Sequence, residues 1–335
     1  MSRKIPATII TGFLGVGKTT LVRHLLANNQ GRRIALIVNE FGDLGVDGQL
    51  LAACGVAGCG DEDIIELANG CLCCTVADEF LPTMQGLLDR PLPPEHIIIE
   101  TSGLALPKPL VKAFHWPEIR SRVTVDGVVA VVDCEAAAAG RFTSTEEERA
   151  RPDHDNPLEE VFEDQLAAAD MVLLNKSDLM EAGAFAVFKA GIEARLRPGV
   201  KAMASHRGAV DPLVILGLAA AAEDDLAARP SHHDAEDGHD HDDFESFAIH
   251  LPEIGDPAAL EPRLMAAIAG HDILRLKGFL AVEGKAARHV IQAVGTRMER
   301  YFDRPWKPGE ERQSRLVVIG RSGLDRAAIE AMVRG

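Results

Sequence analysis

The run Ile9-Ile10-Thr11-Gly12-Phe13-Leu14-Gly15-Val16-Gly17-Lys18-Thr19-Thr20 constrains this chain more than any other segment. It reads as a buried strand, the loop pattern G-x-x-x-x-G-K-T, and the first turn of a helix. Glycines at 12, 15 and 17 let backbone N–H groups turn inward around phosphate oxygens, and the helix N-terminus adds partial positive charge. Gly12, Gly15, Val16, Gly17, Lys18, Thr19 and Thr20 are therefore the candidate phosphate contacts. Lys18 is expected to bridge the β- and γ-phosphates and to serve catalysis, and Thr19 to place its hydroxyl on Mg²⁺. A loop of this kind sits between a parallel strand and a helix, so it predicts an α/β domain.

The rest of the first two thirds agrees. Residues 7–11, 33–38, 96–100, 128–132, 171–174 and 201–204 are short apolar runs without alternation. That is how parallel strands covered on both faces read. Helical segments are expected between them at 18–28, 76–88 and 157–169. The expected fold class is α/β: a doubly wound, mostly parallel phosphate-loop domain over 1–225, followed by a second, smaller α+β domain. Between the two, 226–243 is rich in His and Asp, has little apolar content, and is expected to be a flexible linker. From 244 to 335 the pattern returns to strands (244–250, 273–282, 287–294, 315–319) and helices (258–269, 325–333).

Charge and composition exclude some functions. The 335-residue chain carries a formal net charge of −16, which disfavours nucleic acid and anionic membrane surfaces. Arg3, Lys4 and the apolar run after them mimic a signal peptide, but glycines interrupt the run and Lys18 ends it without a small-residue cleavage site. No stretch reaches the ~18 apolar residues of a membrane span. The chain is expected to be cytoplasmic, where its six cysteines are thiols or metal ligands rather than disulfides.

Three further motifs carry chemistry. Asn175-Lys176-Ser177-Asp178 ends a buried strand. One carboxylate there, Asp178, can accept both the N1–H and the 2-amino donors of guanine. Adenine would leave it unpaired, so GTP is favoured over ATP. Lys176 is expected to lie along the base, Asn175 to brace neighbouring loops, and Ser205 to help hold the base through its loop backbone. His96 to Gly103 forms a buried strand ending in Glu100, the candidate Mg²⁺-orienting and catalytic acid, with Gly103 placed to sense the γ-phosphate. Asn39-Glu40-Phe41-Gly42-Asp43 follows the second strand. Glu40 is a candidate ligand for Mg²⁺ or a transition metal; acids at a surface turn are the other reading.

Cys71, Cys73 and Cys74 place three thiols within four residues, after a strand and before a helix. Such a loop can converge on one transition-metal ion, and a helix N-terminus favours the thiolate. A soft site with only two or three ligands suits delivery better than a closed structural zinc site. Cys54 and Cys59 are less specific, and Cys134 reads as core. The linker histidines His232, His233, His239 and His241 fit weak metal binding or a merely solvated tract equally well.

In order, G-F-L-G-V-G-K-T-T, N-E-F-G-D, N-G-C-L-C-C, E-T-S-G, N-K-S-D, the His-rich tract and the small C-terminal domain resemble the CobW-type metallochaperone GTPases. These are relatives of the nickel-insertion GTPases of urease and hydrogenase. The surrounding text, D-I-I-E-L-A-N-G-C-L-C-C-T-V-A-D-E-F, is similar to the cobalamin-biosynthesis branch. That resemblance implies a GTP hydrolase using GTP and Mg²⁺, which carries Co²⁺ to a cobaltochelatase. Zn²⁺ is the alternative cargo and another acceptor protein the alternative partner. It also matches His115 to a position where some relatives have an extra metal ligand. A small-molecule kinase with a phosphate loop is the competing class, and it leaves the three cysteines without a role.

Overall fold

The computed structural model describes residues 4–39, 64–67, 79–141, 157–231, 244–294, 297–306, 309–321 and 323–335, and these form two compact units. In the first, seven strands make one parallel sheet in the order β3-β2-β4-β1-β5-β6-β7. They are β1 (Ile5–Thr11), β2 (Ile34–Asn39), β3 (Ile64–Leu67), β4 (His96–Glu100), β5 (Val123–Asp133), β6 (Met171–Asn175) and β7 (Lys201–Ala204). Every residue of β2 and β4 is buried, as expected where helices cover both faces. On one face Ala7, Ile9, Ile37, Ile97 and Ile99 pack under Phe80, Met84, Leu87, Leu110 and Phe114. Helices Leu81–Leu88 and Pro107–Ala113 supply most of that layer.

All strands of this sheet run the same way, so Thr11, Asn39, Leu67, Glu100, Asp133 and Asn175 end at one edge. Loops leaving that edge beside β1 form the crevice where ligands of doubly wound sheets bind.

Strand β5 has 11 residues, against the five expected. Asp126-Gly127, before the expected start at 128, lies mid-strand for a packing reason. The buried Asp126 carboxylate accepts from the backbone N–H groups of Gly217, Leu218 and Ala219 at 2.6, 3.1 and 2.9 Å. Gly127 leaves room for the Leu218 side chain, whose nearest atom would lie 2.6 Å from a Cβ there.

The expected linker start at 226 is also corrected. Leu226 packs against the core, Arg229 is 1% exposed and pairs with Asp170 at 2.6 Å, and Ser231 donates to Asp164. The packed domain thus runs at least to Ser231, while the histidines from His232 to His241 lie outside the described residues.

Thr8, on β1, donates to Asp126 and accepts from the His96 ring at 2.8 Å. Burial drives the His96 pKa down to about 4; Arg32 adds to the lowering and Asp126 opposes it. His96 is therefore neutral in the fold, while the unfolded chain takes up its proton near pH 6.5. Stability supplied by neutral His96 is complete above pH 6.5 and is lost as pH falls toward 4, by at most about 1.4 kcal/mol per pH unit. Buried His289 shifts in the same direction. Urea unfolding at pH 7.5 and pH 5 should show a midpoint drop that His96→Gln reduces; an unchanged drop would remove His96 as its source.

The second unit is an antiparallel sheet in the order β11-β10-β9-β12-β8, formed by β8 (Phe244–Leu251), β9 (Ile273–Leu280), β10 (Ala287–Val294), β11 (Arg297–Pro305) and β12 (Ser314–Arg321). Helices Pro257–Gly270 and Arg326–Arg334 cover one face, where Leu260, Leu264, Ile329 and Val333 meet Leu276, Leu280, Ile291 and Val318. Strand β11 has no clear signature in the sequence. It is an edge strand carrying five charged residues in nine, and edges tolerate charge.

Candidate functional site

The loop from Gly12 to Gly17 joins β1 to the first helix, Lys18–Ala27. Gly12 has φ 135°, and a Cβ there would lie 2.2 Å from the Val131 carbonyl oxygen, so only glycine lets the loop cross β5 this closely. Lys18 is 5% exposed, and its ammonium donates to the carbonyls of Gly12 at 2.7 Å and Phe13 at 3.0 Å. The helix has no acid in its first turn, so its positive end is not neutralised by its own side chains. Thr20 is exposed beside it.

Glu100 arrives from the end of β4. It is 3% exposed and accepts from the Thr19 hydroxyl at 2.7 Å. A hydroxyl and a carboxylate meeting beside a phosphate cradle are hard oxygen donors, and that set fits Mg²⁺. Gly103 brings the next loop against the phosphate loop: a Cβ there would lie 2.7 Å from the Leu14 nitrogen. Buried Gln165 holds this loop by donating to the carbonyls of Gly103 and Ala105 at 3.2 and 3.3 Å.

The segment after β6 is tied to the same cradle. Asn175 donates to the Val16 carbonyl at 2.8 Å, and its side-chain oxygen accepts from the Ser205 hydroxyl at 2.9 Å and the Gly208 N–H at 3.1 Å. Lys176 has φ 57°, an uncommon left-handed conformation for a side-chain-bearing residue. Its ammonium holds the Gly15 carbonyl at 2.9 Å and the Asp133 carboxylate at 2.9 Å. Asp178 is exposed, and His206 donates to it from Nδ1 at 2.6 Å. That contact, first among its causes, holds the Asp178 carboxyl below the usual carboxylate range. Ser205 braces Asn175 through its hydroxyl, while its N–H donates to the Leu174 carbonyl and its own carbonyl accepts from Ser177.

Strand β3 ends at Leu67, paired with Asn39, on the same carboxyl edge. Cys71 follows four residues later; Glu40, Cys71, Cys73 and Cys74 lie outside the described residues. His115 is placed elsewhere. Its ring donates to the Glu223 carbonyl, and the Glu223 side chain accepts from Thr124 and Val125 at the opposite end of the sheet. From Thr124 to Asp133 the strand covers roughly 30 Å at ~3.3 Å per residue. The described contacts thus give His115 an anchoring role on the segment around Glu223, far from Thr19 and Glu100. Cys134 is fully buried, and burial pushes its thiol up to about 12, which suits core packing rather than metal binding. Among the described residues no group of three or more His, Cys, Asp or Glu is placed to hold a metal.

Three contributors had no assigned role from the sequence: Asp133, Gln165 and His206. Asp133 had a usable signal, since it ends a buried parallel strand just as Glu100 does. Gln165 and His206 had none, because their partners lie 28 to 62 positions away.

Backbone donors with a helix N-terminus can cradle an anion, and Thr19 with Glu100 can hold a dication. Residues 6–203 match the family model "CobW/HypB/UreG, nucleotide-binding domain". The chain belongs to that family. Residues 244–335 match a second model, "Cobalamin synthesis protein cobW C-terminal domain". A "Zinc chaperone CobW" from Sinorhizobium sp is 54% identical, covering 98% of this chain and 96% of the relative. A "Zinc chaperone CobW" from Pseudomonas aeruginosa is 53% identical, covering 99% and 91%. The "Zinc chaperone YjiA" of Escherichia coli is 30% identical, covering 94% of each chain. As a CobW/HypB/UreG member the chain is a phosphate-loop GTPase of a metallochaperone family, which sets aside the small-molecule kinase. No described helix is long and apolar enough to cross a membrane.

Proposed function

We propose that this protein is a GTP-gated carrier of a thiophilic divalent ion, with Zn²⁺ as its cargo. Cys71, Cys73 and Cys74 hold the ion, and hydrolysis releases it to an acceptor protein. The observation that supports this reading is the position of β3: it ends at Leu67, four residues before Cys71 in sequence, on the carboxyl edge of the sheet to which Glu100 also belongs. Thiolate chemistry favours Zn²⁺ over Co²⁺, and two relatives above 50% identity are named zinc chaperones. Thr19 and Glu100 hold Mg²⁺, which neutralises phosphate charge when bound, while Asp178 reads guanine. Glu40, next to the end of β2, links the nucleotide and the cargo.

A second reading, delivery of Co²⁺ to a cobaltochelatase, is favoured by the description of the C-terminal family model as a cobalamin synthesis protein. Selectivity for cobalt would then come from metal supply and the acceptor, because the ligands do not provide it. In either case the site of action is the cytosol, and segment 232–243 links the two domains.

Metal and nucleotide must tighten each other's binding by the same factor. Zn²⁺ and Co²⁺ are titrated in competition at fixed Mg²⁺–GTP, then with GDP, and with Cys73→Ala. Affinity in the GTP state should be at least about tenfold higher than with GDP, with Zn²⁺ displacing Co²⁺. Equal affinity in both nucleotide states would end the carrier mechanism. Unchanged affinity in Cys73→Ala would end the assignment of the ligands, and preference for Co²⁺ would favour the second reading.

A further inference from the structure

We propose that His206 is a positioning residue for base recognition, orienting the Asp178 carboxylate toward the two guanine donors. The inference rests on the reading of Asp178 as the guanine acceptor. Asp178 follows β6 on a short exposed turn, and an exposed carboxylate is free to rotate unless something holds it. The His206 ring does so, donating from Nδ1 to Oδ1 at 2.6 Å.

The imidazole itself is carried on a fixed loop. Ser205 is pinned by its N–H to Leu174 at 2.8 Å and by its hydroxyl to Asn175 at 2.9 Å. Two residues beyond His206, the Gly208 N–H donates to the same Asn175 oxygen at 3.1 Å. The Ala209 N–H closes the turn onto the His206 carbonyl at 2.9 Å. Asn175 also holds the phosphate loop through Val16 at 2.8 Å. One side chain therefore sets the phosphate cradle, the base turn and the histidine loop together, and His206 relays that alignment to Asp178.

Lone-pair counting allows the histidine and the base to bind at once. A carboxylate offers about four acceptor positions. His206 occupies one on Oδ1 and the Asp178 backbone N–H another, which leaves two positions for the N1–H and 2-amino groups. The lowered pKa of Asp178, with His206 as its largest cause, agrees with a donor that favours the ionised form. Arg207 on the same loop acts in the same direction and is not itself bonded to the carboxylate in the contacts described.

The test measures binding of GTP and ITP to the full-length protein in Mg²⁺, for wild type, His206→Ala, His206→Asn and Asp178→Ala. ITP lacks the 2-amino group, so the GTP/ITP ratio reads the two-donor grip and is insensitive to general loosening of the fold. His206→Ala should weaken GTP about tenfold, in line with loss of a charge-assisted hydrogen bond. It should weaken ITP less, narrowing the ratio. His206→Asn should recover much of the loss, since its amide places a donor near the Nδ1 position. Tighter GTP binding in His206→Ala would overturn the proposal, because it would mark His206 as an occupant that guanine must displace. An unchanged ratio would also overturn it. If Asp178→Ala retains wild-type GTP affinity, the guanine reading itself fails. If that variant loses GTP while His206→Ala does not, only the role of His206 fails.

Discussion

Replacing Lys18 by alanine should abolish GTP turnover, lowering it by about 10³-fold or more. Its ammonium is buried against the carbonyls of Gly12 and Phe13, at the centre of the loop that receives the phosphates. The substitution removes both the buried charge and the tie from Lys18 to these two carbonyls. Phosphate release and binding of a fluorescent GTP analogue should fall together, while circular dichroism stays close to wild type. Turnover within tenfold of wild type would remove Lys18 from the reaction. The wild-type rate should itself be low, since the sequence shows no obvious arginine finger or water-positioning glutamine.

Asp178→Asn should exchange nucleotide preference rather than merely weaken it. The carboxylate proposed to accept from guanine N1–H and the 2-amino group becomes an amide, which can accept from N1–H and donate to the 2-oxo group of xanthine. GTP affinity should drop by roughly 100-fold and xanthosine triphosphate should become the better ligand, because unmatched polar groups at such sites discriminate strongly. His206 can still donate to the amide oxygen, so the turn should keep its shape. Competition among GTP, XTP and ATP on both proteins decides it. Equal binding of ATP and GTP by the wild type would defeat the reading of Asn175 to Asp178.

The metal half of the mechanism depends on a different link. Glu100 and Leu67 leave the sheet at the same edge, on strands separated only by β2. In the proposed mechanism a nucleotide-dependent change near Asn39 and Glu100 is passed to Leu67, which pairs with Asn39 and precedes Cys71 by four residues in sequence. The competition experiment with GTP and GDP measures that coupling directly, independently of which ion is the natural cargo.

Much of this architecture was legible in the residues themselves. Unbroken apolar runs such as Ile34–Asn39 and His96–Glu100 can be satisfied only by burial on both faces, which a parallel sheet with helices on each side provides. Glycines at 12, 15 and 17 before Lys18 leave few alternatives to a phosphate loop, because that spacing of backbone freedom and charge is local. The same holds for the strand ending in Glu100 and the turn ending in Asp178.

Tertiary structure decided what rests on long-range contact. Strand β5 begins five residues before the expected 128, and three N–H groups from residues 217 to 219 hold Asp126 within that extension. Only the family resemblance makes His115 a candidate ligand, and the fold places its ring on the Glu223 carbonyl, toward the opposite end of the sheet from Glu100. The segment after 226 has a linker's composition, and Arg229 is buried there because Asp170 and the Ala168 carbonyl await its guanidinium. Asp133, Gln165 and His206 take their roles from partners 28 or more positions distant. Local pattern specifies which backbone shape each segment prefers; which polar group meets which across the sheet is set only when the strands are in register.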